Sequence, residues 1–118
     1  MSEDINPIGS IQISARAIAM IAYQAAVESY GVVGLASKNI IDGLANMLVK
    51  DPTHGIEVHY EENQINIDIY IIVQYGTRIK SVASNVAHTI RFHVEKSIGV
   101  PINEVNVHVQ GLRINGPD

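Results

Sequence analysis

The side chains best suited to chemistry in this 118-residue sequence are its five histidines, namely His54, His59, His88, His93 and His108. His59 and His108 each lie in a run where apolar and polar residues alternate, and each occupies a polar position. Glu57 and Asp68 occupy equivalent polar positions. Imidazole and carboxylate groups bind metal ions and transfer protons. A shared small-ligand or metal site on the polar face of a sheet is therefore geometrically possible if the strands of His59 and His108 are neighbours, and the alternative is that these are simply solvated polar residues.

Other patterns that carry chemistry are weak. The chain has no cysteine, which excludes a disulfide framework and a thiolate metal site. His88 and His93 are five positions apart, whereas zinc-binding helices place two histidines four apart. The sequence contains no glycine-rich phosphate loop with a lysine, and its serines lack the context of a nucleophile elbow. We therefore expect no catalytic residue, no cofactor and no bound metal, and the ligand or metal site stays open as the alternative.

The segment that must position these residues is 64–75, QINIDIYIIVQY. Its odd positions are all apolar, and they are Ile65, Ile67, Ile69, Ile71, Val73 and Tyr75. A period of two predicts a strand with one buried face and one solvent-facing face. The apolar set is mostly β-branched, as a pleated surface favours. We expect this segment to be the long central strand of a largely antiparallel sheet.

The polar face of this strand is interrupted by Tyr70 and Ile72. Apolar residues surrounded by a polar rim are typical of a protein contact surface. The alternative is that a middle helix over residues 40–49 folds back and covers them. The contact-surface hypothesis assigns partner binding to five residues, which are His59, Asp68, Tyr70, Ile72 and His108.

The remaining elements follow from local signals. A short strand at residues 11–13 precedes a helix that Ser14 caps and Gly31 ends. A strand at 31–36 and the helix at 40–49 come next, and a hairpin with its turn at 61–63 leads into the central strand. A second long helix begins at Thr77 and ends at Gly99, and the last strand alternates valines with polar residues from residue 105.

This order, β-α-β-α-β-β-α-β, predicts an α+β two-layer sandwich. Its sheet is mixed and mostly antiparallel, with two long helices on one face. We expect three segments: a flexible N-terminal segment at 1–10, a single domain at 11–114 and a C-terminal tail at 115–118.

The composition limits the class of partner. The net charge is −4, whereas domains that bind phosphate backbones are usually basic, so we expect no nucleic acid. No apolar run approaches the roughly 20 residues that span a bilayer. The opening residues MSEDINPIGS lack the apolar stretch of a signal peptide. We therefore expect a cytoplasmic protein without direct membrane insertion.

Three segments carry a family resemblance: GVVGL at 31–35, VQYG at 73–76 and VNVHV at 105–109. Together they resemble the bacterial alkaline-shock protein family, also called the general or envelope stress-response family. The similarity runs from about Ile11 to Ile114. The resemblance implies a small, mostly cytoplasmic protein without known catalytic residues. Some members of the family are linked to cell-envelope stress and cluster beneath the membrane through a membrane-anchored partner.

Together, the residues and the resemblance predict a non-enzymatic protein-interaction module of a bacterial stress-response and cell-envelope homeostasis family. It would act as a homo-oligomer or through a protein partner, and a membrane-anchored partner would recruit it to the inner face of the membrane.

Overall fold

The computed structural model of the chain describes residues 5–8, 11–37 and 55–113. In chain order its elements are β1 (Ile5–Ile8), β2 (Ile11–Ser14), α1 (Ala15–Val27), β3 (Val32–Leu35), β4 (Ile56–Glu61), β5 (Gln64–Gln74), α2 (Ile79–Ile98) and β6 (Glu104–Arg113). The predicted helix at 40–49 and the predicted tail at 115–118 lie outside the described residues. Within the described residues, neither helix is both long and apolar enough to cross a membrane.

The main sheet is built around β5, as predicted. On one side β5 pairs with β6 in parallel along most of its length. On its other side two strands share the edge: β4 pairs antiparallel with the first part of β5, and β3 pairs antiparallel with the last part. Two antiparallel pairings and one parallel pairing confirm the predicted mixed, mostly antiparallel sheet of an α+β fold.

One face of β5 forms the core. Its odd positions Ile65, Ile67, Ile69, Ile71 and Val73 have no exposed surface. The prediction that Tyr75 extends this buried set is wrong, because its side chain is 63% exposed. The strand ends at Gln74, and Gly76 turns the chain with a φ of +96°, so the alternation no longer applies.

Both helices pack on this face of the sheet. The buried residues of α1 are mostly small, namely Ile18, Ala19, Ala22, Ala25 and Ala26. The buried residues of α2 follow the predicted spacing of three and four, and they are Val82, Val86, Ile90 and Val94. All nine belong to one core cluster with the isoleucines of β5, which confirms the predicted two layers. Alanines on α1 let its backbone lie close to its neighbours.

The helix ends agree only partly with the prediction. The Ser14 hydroxyl accepts a hydrogen bond from the backbone N–H three residues on, at 3.3 Å, and so caps α1 as expected. Gly99 ends α2 in the left-handed conformation, also as expected. Thr77 does not cap α2, because its hydroxyl donates instead to the carbonyl of Gln74 at 2.7 Å and the N-cap position is Arg78.

A further pair of strands lies at the N-terminal end of the chain. β1 pairs antiparallel with β2, with Ile5 opposite Ser14. The predicted flexible segment at 1–10 therefore contains a strand that sequence reasoning missed. Four residues interrupted by Pro7 show no alternation from which a strand is recognised.

The hairpin between β4 and β5 turns through Glu62 and Asn63, whose φ angles are +50° and +66°. Two central residues with positive φ are the mark of a type I′ turn, which favours Asn-Gly. For residues with a β-carbon, this left-handed backbone conformation costs about 1–2 kcal/mol of folding free energy. We therefore expect the double change Glu62→Asn with Asn63→Gly to raise the free energy of unfolding by about 1 kcal/mol, measured by urea denaturation.

A matched control is Glu61→Asn, which removes a similar exposed charge from the last residue of β4. Because Glu61 lies in the strand, this change should give no gain. A turn variant that is no more stable than the Glu61 control would show that the left-handed residues carry no strain.

Candidate functional site

Opposite the core, the sheet presents a group of polar side chains from three strands. We call the surface formed by Glu57, His59, Asp68, Tyr70 and His108 the histidine face. Asp68 lies directly opposite Glu57 of β4, and Tyr70 lies directly opposite His108 of β6. Side chains at directly paired positions project to the same side of a sheet, so the strand register brings these residues together.

Asp68 contacts both histidines of this surface. Its Oδ1 lies 3.0 Å from Nε2 of His108, and its Oδ2 lies 3.2 Å from Nε2 of His59. The same nitrogen of His59 lies 3.6 Å from Oε1 of Glu57. The structure therefore places the two histidines on one face, as predicted. Their strands are not adjacent, however, because β5 runs between them and its Asp68 contacts both imidazoles.

Tyr70 and His108 form an aromatic pair. Their ring centroids are 4.6 Å apart and their planes differ by 15°, which is a stacked arrangement. The His108 ring is therefore held by stacking on one side and by the Asp68 carboxylate at its Nε2. His108 nevertheless keeps 43% of its side-chain surface exposed, and His59 keeps 45%. Both rings are ordered by their neighbours and remain accessible.

Ile72 does not belong to this surface. It has no exposed area, so its predicted role as an accessible contact residue is wrong. Its neighbours Ile71 and Val73 are equally buried, although their side chains alternate between the two faces of the sheet. An apolar residue at this even position therefore reflects burial on both sides of the sheet near the end of β5. The other four predicted contact residues are brought together on the histidine face.

The remaining histidines lie elsewhere or outside the described residues. His88 and His93 are exposed on α2, which packs on the core face of the sheet. The His93 ring meets Phe92 edge to face, with centroids 5.3 Å apart, and Phe92 is 59% exposed. His54 lies outside the described residues. The candidate site thus contains two of the five histidines.

Tyr60 follows His59 on β4 and faces the opposite way. Its side chain packs against the core, and this burial raises the pKa of its phenol. Tyr60 therefore packs on the core side of β4, whereas His59 projects from the opposite side of the sheet.

A cleft of about 390 Å³ lies where β5 ends and α2 begins. It is lined by Tyr30, Gly76, Thr77, Arg78, Ser81, Val82 and Asn85. Among the described residues that line it there is no histidine and no carboxylate, although Ser81 and Asn85 also line a neighbouring pocket together with His88. The titratable residues of the histidine face lie on the open surface of the sheet, away from this cleft.

Comparison with protein families gives a match over residues 3–114, nearly the whole chain. The matching family is that of alkaline shock protein 23, which is described as having a cell envelope-related function. The chain belongs to this family. The family assignment predicted from three short segments is therefore confirmed.

Two curated relatives extend the comparison over most of the chain. The uncharacterized protein YloU of Bacillus subtilis (strain 168) is 49% identical over 111 residues, which is 92% of each chain. The uncharacterized protein Spy1614 of Streptococcus pyogenes serotype M6 is 34% identical over 110 residues, covering 92% of this chain and 91% of the relative. The chain therefore matches these two relatives over most of their length.

Among solved structures, the chain is similar to forms of MamM CTD. One variant matches with a TM-score of 0.51 at 16% identity, covering 82% of this chain and 95% of that one. The copper form matches with a TM-score of 0.50 at 17% identity, covering 86% and 90%. At this identity the likeness shows the fold alone.

Proposed function

We propose that this chain is a non-enzymatic protein-interaction module that serves the cell envelope-related function of its family. It acts through self-association or through a protein partner, and the contact surface is the histidine face. The observation that carries this proposal is the stacked Tyr70–His108 pair at the centre of an accessible, polar-rimmed sheet surface.

The geometry of the pair supports a contact role. Tyrosine is enriched in protein interfaces, because it offers a large apolar body and a polar tip. Binding costs less conformational entropy when the contact residues are already held in place. Tyr70 is held by His108, and His108 is held by Asp68. A partner that docks here would meet side chains that are ordered before it arrives.

The family supports a location for this interaction. A cell envelope-related function is consistent with a cytoplasmic protein that a membrane-anchored partner recruits to the inner face of the membrane. In this proposal the module takes part in the stress response of the envelope by joining copies of itself or by joining that partner.

The proposal is tested by the variant Tyr70→Ala. Removing the aromatic ring leaves the core intact, since Tyr70 faces away from it, but it removes the centre of the contact surface. We expect association to weaken about 30-fold, corresponding to a loss of about 2 kcal/mol for a central aromatic contact. Sedimentation velocity measures self-association, and capture from a solubilised membrane fraction measures binding of a partner.

The matched control is Tyr75→Ala, which removes another exposed tyrosine just beyond the end of β5. This control should associate as the unmodified chain does. If Tyr70→Ala retains full association in both assays, or if Tyr75→Ala weakens it equally, the histidine face is not the contact surface.

A further inference from the structure

We infer that Glu57, His59 and Asp68 form a binding site for a late first-row divalent metal ion, of which Zn²⁺ is the representative. Each of the three offers one ligand atom, and these atoms all lie within 4.8 Å of one another. The residues come from two neighbouring strands whose register is fixed by the core beneath them. The site is therefore built on rigid elements rather than on a loop.

The spacing of the ligand atoms suits a single ion. Ligands of tetrahedral zinc lie about 2.0–2.2 Å from the metal, so two of them are separated by about 3.3–3.6 Å. Nε2 of His59 lies 3.2 Å from Oδ2 of Asp68 and 3.6 Å from Oε1 of Glu57. The ligand atoms of Glu57 and Asp68 lie within 4.8 Å of each other, so an ion meets all three ligands at bonding distance after rotation of these partly exposed side chains.

The ligand types select the class of ion. Imidazole favours zinc, copper and nickel, whereas magnesium and calcium prefer sites made of oxygen ligands alone. Three protein ligands leave at least one coordination position for water. The site is therefore assigned to a transition-metal ion.

The charges of the site also favour a cation. Glu57 and Asp68 lie directly opposite each other on antiparallel strands, where like charges destabilise the pair. A divalent cation between them neutralises both carboxylates. His59 contacts both of them, so the imidazole and the two carboxylates already converge on one point of the surface.

His108 acts as a positioning residue for this site. Its Nε2 lies 3.0 Å from Oδ1 of Asp68, whereas His59 contacts the other carboxylate oxygen, Oδ2. Ligating carboxylates are commonly held by such hydrogen bonds, and losing the partner typically lowers metal affinity about 10- to 100-fold. Stacking on Tyr70 fixes the His108 ring in turn. The site therefore has three direct ligands and one residue that orients a ligand.

Titration of the full chain with Zn²⁺ by calorimetry and equilibrium dialysis tests this inference. We expect one Zn²⁺ per chain at this site and no competition from Mg²⁺. His59→Ala and Asp68→Asn each change a direct ligand. Each should therefore lower the zinc affinity by about 100-fold or more, which is the upper limit for losing an orienting partner. His108→Ala should lower it about 10- to 100-fold, and His108→Gln, which keeps a hydrogen-bond donor, should recover part of that loss.

The matched control is His88→Ala, which removes an exposed histidine of α2 that lies outside the site. It should bind Zn²⁺ as the unmodified chain does. Thermal unfolding without metal shows whether each variant is folded. If Asp68→Asn does not fold, Glu57→Gln takes its place as the second ligand variant. Replacement of Zn²⁺ by Co²⁺ should give a visible absorption spectrum that changes in the ligand variants.

The inference is overturned if the folded chain binds no Zn²⁺, if His88→Ala loses as much affinity as His59→Ala, or if the Co²⁺ spectrum is the same in Asp68→Asn. It does not rest on the proposed interaction function. Zinc affinity is measured on the isolated chain, and Tyr70→Ala keeps all three ligands but removes the ring on which His108 stacks, so it should lower zinc affinity by no more than His108→Ala does. Loss of association and loss of metal binding are therefore separate results.

Discussion

Replacing Ile69 by alanine is expected to lower the free energy of unfolding by about 3–4 kcal/mol. Ile69 has no exposed surface, and it lies in the middle of the central strand. Ile56 is paired with it on one side and Val107 on the other, and the helices cover it. Side chains enclosed by sheet and helices cannot move far, so much of the cavity would remain open. Urea denaturation followed by circular dichroism measures the change.

Ile79→Ala is the control for this prediction. It removes the same atoms from a residue that is 40% exposed at the start of α2. Because alanine has the higher helix propensity and no cavity forms, the loss should stay below about 1 kcal/mol. Equal losses at the two positions would mean that the face of β5 against the helices is not the stabilising core.

The core also determines the histidine face. Asp68 lies between Ile67 and Ile69 on the same strand, and its direction is the opposite of theirs. Sliding β5 by one residue against its neighbours would turn the isoleucines into solvent and Asp68 into the core. The free energy of burying the isoleucines is thus what holds Asp68 beside Glu57. Variants that test function are accordingly placed on the polar side of the strand.

Several elements of this fold could be predicted from the sequence because their signals are local. The isoleucine alternation identified β5, the spacing of the valines identified α2, and the hydroxyl of Ser14 identified the start of α1. Each of these signals is contained within a few consecutive turns or a single strand. They also sufficed to place Asp68 and Tyr70 on the solvent-facing side of the central strand.

The arrangement of the histidine face could not be predicted, because it depends on which strands lie side by side. His108 and Asp68 are 40 positions apart, and only the parallel pairing of β5 with β6 brings them to 3.0 Å. Periodicity predicts the side of the sheet to which a residue points, but it does not predict neighbours across strands or where burial extends to both faces. The prediction for Ile72 is wrong because burial extends to both faces of the sheet at that position.

Gly31→Ala is the second substitution with a large expected effect. Gly31 joins α1 to β3 with a φ of +88°, and its carbonyl accepts a hydrogen bond from the N–H of Gln74 at 2.8 Å. A β-carbon there would lie 2.7 Å from Cγ2 of the buried Val82 on α2. The left-handed backbone costs about 1–2 kcal/mol and the overpacking about 1–3 kcal/mol, so we expect a total loss of about 2–5 kcal/mol. Urea denaturation again measures it.

Two comparisons separate these two causes. Gly99→Ala introduces the same strain at a φ of +79°, but its β-carbon would have no neighbour within 4 Å, so it should lose only the backbone part, about 1–2 kcal/mol. Adding Val82→Ala to Gly31→Ala removes the methyl group that clashes, so the stability loss of the double variant should be smaller than the sum of the single losses.

If Gly31→Ala costs no more than Gly99→Ala, or if the two losses at Gly31 and Val82 simply add, the close approach of α2 to this turn does not limit the residue at position 31. A Gly31 loss that exceeds the Gly99 loss and shrinks in the double variant would show that glycine is required there by both its backbone angle and its lack of a side chain.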